Sequence, residues 1–212
     1  MTRPISLCLG FLLASGLLQA QQGVPKASPT KAPSASAPAD LGAITDNVYH
    51  NGYFGFSLKL PYGWVDRTDK MREDAPAGAG PGGGKGTVLL AVFERPPEAT
   101  GSTVNSAIVI AAESQSGYPG MKDAAQYFGP ISEVTKANGF TVVNEPYEFP
   151  VDGAPIDRED FKRDVKGGTM WQSTLAMLRK GYLVSFTFIA GSDEDITHSL
   201  EYLKFGAQKS GK

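Results

Sequence analysis

The chain reads as an α+β protein, with helices laid over an antiparallel sheet of about six strands. Three observations predict this. Apolar residues alternate at Phe54, Phe56, Leu58 and Leu60, and again at Tyr182, Val184, Phe186 and Phe188. Period two marks a strand with one buried face. The turn signals Val151-Asp152-Gly153 and Lys180-Gly181 join adjacent strand segments through too few residues for a crossover, so those strands must pair antiparallel. Finally, apolar residues in 121–139 and 192–205 recur at helical spacing.

Pro61 ends the first strand because it has no N–H to give a ladder, and Gly63 turns the chain to deliver Trp64 against the core. Segments 87–95 and 105–114 are apolar on both faces. In the first, Val88, Leu90 and Val92 share one side while Leu89, Ala91 and Phe93 share the other. Such strands belong at the centre of a covered sheet. In 121–139 the stripe is Ala124, Phe128, Ile131 and Val134, with Gly129-Pro130 as a kink or restart and Asn138-Gly139 as the stop. A three-strand meander follows over 140–190. Ser192 and Asp195 form a capping box for the last helix, whose buried stripe is Ile196, Leu200 and Leu203, with Phe205 behind it.

Outside this domain the composition changes. Arg3 precedes an apolar stretch, Ile5 to Leu18, that is short for a membrane span and ends in small residues. That is the pattern of a secretory signal peptide over residues 1–20, cleaved after Ala20; a short anchor is the alternative. Cys8, the only cysteine, lies inside the apolar run and too early for a lipidation site, so the mature chain would have no thiol. Residues 21–45, rich in Ala, Pro and Ser, read as a disordered tether. The domain is placed at 46–206 and a disordered tail at 207–212. Twenty Lys and Arg against 22 Asp and Glu leave a formal charge of −2, which argues against a nucleic-acid binder.

Two stretches carry a resemblance. Tyr49, Asn51, Gly55, Phe56, Ser57, Pro61, Gly63 and Trp64 meet a Tyr-x-Asn-x-x-x-Gly-Phe-Ser-x-x-x-Pro-x-Gly-Trp opening. Residues 181–188 and 199–205 meet a Gly-Tyr-Leu-Val-Ser-Phe-Thr-Phe strand followed by a Ser-Leu-x-x-Leu-Lys-Phe ending. Over about residues 47–206 the chain resembles the PsbP-like family, whose superfamily includes the Mog-type Ran-binding proteins. The resemblance implies an αβα sandwich around an antiparallel sheet, and assembly roles more often than catalysis. It carries over no binding residues, and the glycine loop at 76–86 has no counterpart in it.

Candidate chemistry is sparse. Around Gly84-Lys85 a phosphate loop would need Gly where Ala79 stands and Ser or Thr where Gly86 stands, and a helix rather than a strand afterwards. A flexible surface loop accounts for the same residues. His50 and His198 are the only histidines and have no metal-ligand spacing, and no Gly-x-Ser-x-Gly elbow accompanies them. The charge run from Asp157 to Lys166 alternates in sign, which suits an edge or half-exposed strand better than a cation site. Trp64, Tyr118, Tyr147 and Trp171 are the candidate ligand or partner contacts, although Trp64 and Trp171 also suit a core.

No catalytic, cofactor-binding or metal residue is expected. The leading functional expectation is an exported, non-enzymatic binding or assembly module that contacts another envelope or secreted protein. A small-molecule carrier with a pocket between sheet and helices comes second, and a hydrolase third. No nucleic acid and no stable membrane span after signal cleavage are expected.

Overall fold

Among the described residues, backbone pairing sorts the strands into two antiparallel sheets. The computed structural model describes residues 40–75 and 86–206. The expected signal peptide, the tether up to residue 39, the glycine loop at 76–85 and the tail 207–212 lie outside the described residues. In chain order the elements open with β1 (Ala43–Thr45), β2 (Val48–Asn51), β3 (Phe56–Lys59), β4 (Val65–Asp66), α1 (Thr68–Asp74), β5 (Gly86–Phe93) and β6 (Ala107–Ser114). They continue with α2 (Phe128–Ala137), β7 (Thr141–Glu148), β8 (Asp157–Val165), β9 (Gly168–Arg179), β10 (Tyr182–Ala190), α3 (Asp193–Leu200) and β11 (Leu203–Phe205).

A seven-stranded sheet runs β4-β5-β6-β10-β9-β8-β7. Its centre is β6 and β10, where Phe186 faces Ile110 and Phe188 faces Ile108. β9 and β10 are joined at Lys180-Gly181, both with positive φ (53° and 77°), the twist a two-residue hairpin needs. One face of this sheet packs against the second sheet, β1-β2-β3-β11, and against α3, enclosing the main core of Phe56, Leu58, Ile110, Leu175, Phe186, Ile196 and their neighbours. The other face is covered by α2, which sets Tyr127, Phe128 and Ile131 on Ala176 and Leu183, and near the β5 edge by Met71 of α1 against Ala91 and Phe93. Helices on both faces make the expected αβα sandwich, with the small sheet as an added part of one layer.

Four features depart from the sequence expectation. The strand at 54–60 belongs to the small sheet, and the main sheet has seven strands rather than about six. Leu203 leaves the helical stripe: β3 has an open edge, and Leu203 pairs there with Leu58 as Phe205 pairs with Phe56. A bulge between Val88 and Leu90 puts Leu89 and Leu90 into the same core, so β5 does not alternate cleanly. The meander has four strands, and the charged β8 is interior, between β7 and β9. The edge is β7, guarded by two register irregularities and Pro146. Ordered structure also begins before residue 46, because the Asp40 carboxylate accepts from the backbone of Gly42, Gly52 and Tyr53 and so ties the entering chain to the loop after β2.

Candidate functional site

The start of β6, the end of β10 and α3 border a half-open cleft of about 560 Å³. Its floor is Ile108, Phe188, Ala190 and Ile196, and Trp64 forms one wall. Glu94, Ser106, Ser192, Asp195, His198 and Ser199 supply polar atoms around it. No Lys or Arg occurs among the described residues that line it, although Arg95 stands 3.9 Å behind the Glu94 carboxylate.

The polar side chains at the start of α3 and on it that line the cleft are already engaged. The Ser192 hydroxyl accepts from the Asp195 N–H (3.1 Å), the N-cap half of the expected capping box, and donates to the Asp195 carboxylate (2.8 Å), which takes the hydroxyl where a full box would take the Ser192 backbone N–H. Ser199 donates to the Asp195 carbonyl oxygen. His198 has its Nε2 3.1 Å from the Tyr202 hydroxyl and its Nδ1 3.4 Å from the Glu201 carboxylate. Its partners therefore lie on its own turn of chain, and the two nearby serines are committed to Asp195, so neither serine hydroxyl is bonded to the imidazole as a serine nucleophile–base pair would need. Among the described residues no group of three or more His, Cys, Asp and Glu is placed to hold a metal ion.

The four aromatic candidates do not converge. Only Trp64 lines the cleft. Trp171 packs on the main core from β9, with the Lys162 amine 5.7 Å above its ring. Tyr147, on β7, donates to Asp160 (2.9 Å) and sits opposite Arg158, four residues along β8 from Lys162. Tyr118 is on the other face, edge-on to Tyr127, and its hydroxyl donates to Glu113, as does that of Tyr127 (2.7 Å). Aromatic residues spaced along a chain share a face only where strand register brings them together, and here β8 intervenes between two of them and the sheet itself separates a third.

Sequence reasoning missed the most buried charged cluster in the domain. Arg158, Glu159 and Asp160 are 4%, 0% and 2% exposed. The Asp160 carboxylate accepts from Arg158 Nε (2.7 Å), Asn144 (3.0 Å), Tyr147 and Ser173. Burial alone would push this carboxyl up, but the bonds from Ser173, Asn144 and Arg158 and the Arg158 charge outweigh it, and its pKa lies below the ordinary carboxylate value. Arg158 also lies over Phe149, 4.7 Å from the ring centre, and reaches Asp193 at the start of α3 (3.6 Å). Both carboxylate oxygens are filled, so the cluster pins β7, β8, β9 and α3 together. Its trace in the sequence is the i, i+2 spacing of Arg158 and Asp160, which puts opposite charges on one face of a strand.

No protein-family model matches the chain, and no curated protein matches it. Solved structures with a similar fold exist. A cyanobacterial PsbP from Synechocystis is 13% identical, with 75% of this chain and 91% of that one covered at a TM-score of 0.48. LpqN of Mycobacterium tuberculosis, described as involved in cell envelope biogenesis, is 15% identical over 74% and 88% of the two chains at 0.40. PA94 of Pseudomonas aeruginosa, described as of unknown function and a putative regulator, is 15% identical over 71% and 85% at 0.36. No residue role passes from these proteins to this chain.

Proposed function

We propose that this protein is an exported, non-enzymatic binding module whose cleft beside Trp64 receives a basic segment of another envelope or secreted protein. The observation that carries the reading is the cleft's composition: an aromatic wall and two carboxylates, Glu94 and Asp195, with no cation among its described lining residues. An aromatic face and nearby carboxylates together favour a Lys or Arg side chain. Export is supported by the apolar stretch from Ile5 to Leu18 with its small-residue end. The non-catalytic reading is supported by the commitment of Ser192, Ser199 and His198 to partners on α3 and the turn after it. Among the described residues no helix is long and apolar enough to cross a membrane.

The test is photo-crosslinking in the source cells from probes placed at Ser106 and Ser199 on the cleft, with Lys122, exposed on the opposite layer, as control. One partner captured from both cleft positions and not from Lys122 supports the module. Capture from Lys122 alone, or from none, rejects it. A small-molecule carrier is the second reading, favoured by the apolar floor of Ile108, Phe188 and Ile196. A ligand retained in native mass spectrometry and lost on Trp64→Ala would select it.

A further inference from the structure

Glu159 lies on β8 with its side chain toward α2 and is wholly buried. One carboxylate oxygen accepts from the Ser132 hydroxyl of α2, and the other, also buried, has no hydrogen-bond partner. The charged groups acting on it are Lys136 of α2, Glu145 of β7 and Asp160 on its own strand; across on β9 it faces the uncharged Thr174. An ionised carboxylate with an orphaned oxygen is costly in such a place, whereas the neutral acid is tolerated. Lifting α2 would give the ionised form water.

The start of the helix lacks a side-chain cap, no acidic residue stands in its first turn, and Gly129 follows its first residue. It rests on the sheet through Tyr127, Phe128 and Ile131 against Ala176 and Leu183.

We propose that α2 is an acid-latched flap: it is held to the sheet when Glu159 is protonated and released more readily as that carboxyl ionises. The direction follows from linkage. Burial first, then Glu145 and Asp160, hold the Glu159 carboxyl above its ordinary 4.5 against the opposing Ser132 bond and Lys136. Docking is therefore strongest below that value and weakens as pH rises through the raised docked value.

Hydrogen exchange of the purified protein, followed by mass spectrometry from pH 4.5 to 8 and corrected for intrinsic exchange, tests this. Protection of the α2 amides should fall with rising pH, by at most about tenfold per unit for one coupled proton, while β9 and β10 stay constant. In Glu159→Gln the α2 profile should be flat. A flat wild-type profile, the same slope in Glu159→Gln, or a parallel loss in β9 and β10 would overturn the proposal. Should Glu159→Gln fail to fold, Glu145→Gln on the exposed edge strand serves instead. Removing that charge should end the loss of protection at lower pH, and an unchanged profile would overturn the flap.

Discussion

Asp160 takes four hydrogen bonds in the interior of a sheet, and one of its donors is a buried guanidinium. Removing it leaves the buried Arg158 charge with only the half-exposed Asp193 at 3.6 Å, so Asp160→Ala should cost about 3–5 kcal/mol in urea unfolding. The pH dependence has a definite sign. A carboxyl whose folded pKa lies below its ordinary 3.8 stabilises above that value, and the contribution is lost as pH falls through the folded value. Wild-type stability should therefore fall below about pH 4, and Asp160→Ala should lack that component. Buried tyrosines titrate in the opposite sense. Burial pushes the Tyr49 hydroxyl up to about 12, against the Asn51 hydrogen bond, and burial and then its bond to Asp160 raise that of Tyr147 to about 12. Both stabilise below pH 10 and lose that contribution as pH rises through about 12. In an ultraviolet phenolate titration Tyr49→Phe and Tyr147→Phe should each remove one late-titrating tyrosine, while Tyr127, raised by burial and the nearby Glu113 charge, remains late in both. Asp160 was not legible as a buried residue in the sequence, because alternating charges describe a solvated edge and a satisfied interior equally well until the neighbouring strand is known.

At the scale of elements, local rules were legible where local chemistry decides and failed where a distant partner does. The Ser192 cap of α3 and the Lys180-Gly181 hairpin depend on a few adjacent residues, and both form as expected. Leu203 has the right spacing from Ile196 and Leu200 for a helix, yet the open edge of β3 draws it into β11. The edge assigned to β8 failed for the same reason, since β7 comes from an earlier part of the chain and covers it. Two glycines separate backbone need from packing. Gly167, in the turn between β8 and β9, has φ +104°, and an added Cβ would run into the Ser102 carbonyl oxygen. Gly167→Ala should destabilise by roughly 2–3 kcal/mol. Gly129 in α2 has open space where a Cβ would go and no left-handed φ, so Gly129→Ala should raise stability by about 0.5–1 kcal/mol. Thermal unfolding of the two variants, in opposite directions from wild type, checks both.

Over the whole molecule, the two sheets meet through aromatic contacts that join distant parts of the chain. Phe56 of β3 stands edge-on to Phe186 of β10 with ring centres 5.0 Å apart, and Phe205 of β11 closes on both. Phe56→Ala should cost about 3–5 kcal/mol by cavity formation, and hydrogen exchange should show the small sheet loosening before the large one. Which layer each strand joins was not legible from alternation, because period two reports one buried face and not the sheet that buries it. The same limit governed the aromatic candidates: Trp64 reached the cleft, while Tyr118, Tyr147 and Trp171 were dispersed by register and by the sheet itself.

The cleft is where the functional account stands or falls, and Trp64 can report on it directly. Trp171→Phe leaves Trp64 as the sole indole among the chain's two tryptophans. The measurement is the emission of that variant during titration with Lys- and Arg-containing peptides, and with acidic peptides of matched length. A saturable shift is expected with the basic peptides, weakened by salt and by Glu94→Gln with Asp195→Asn, and none with the acidic ones. Equal responses to both sets, or no response to either, would contradict it.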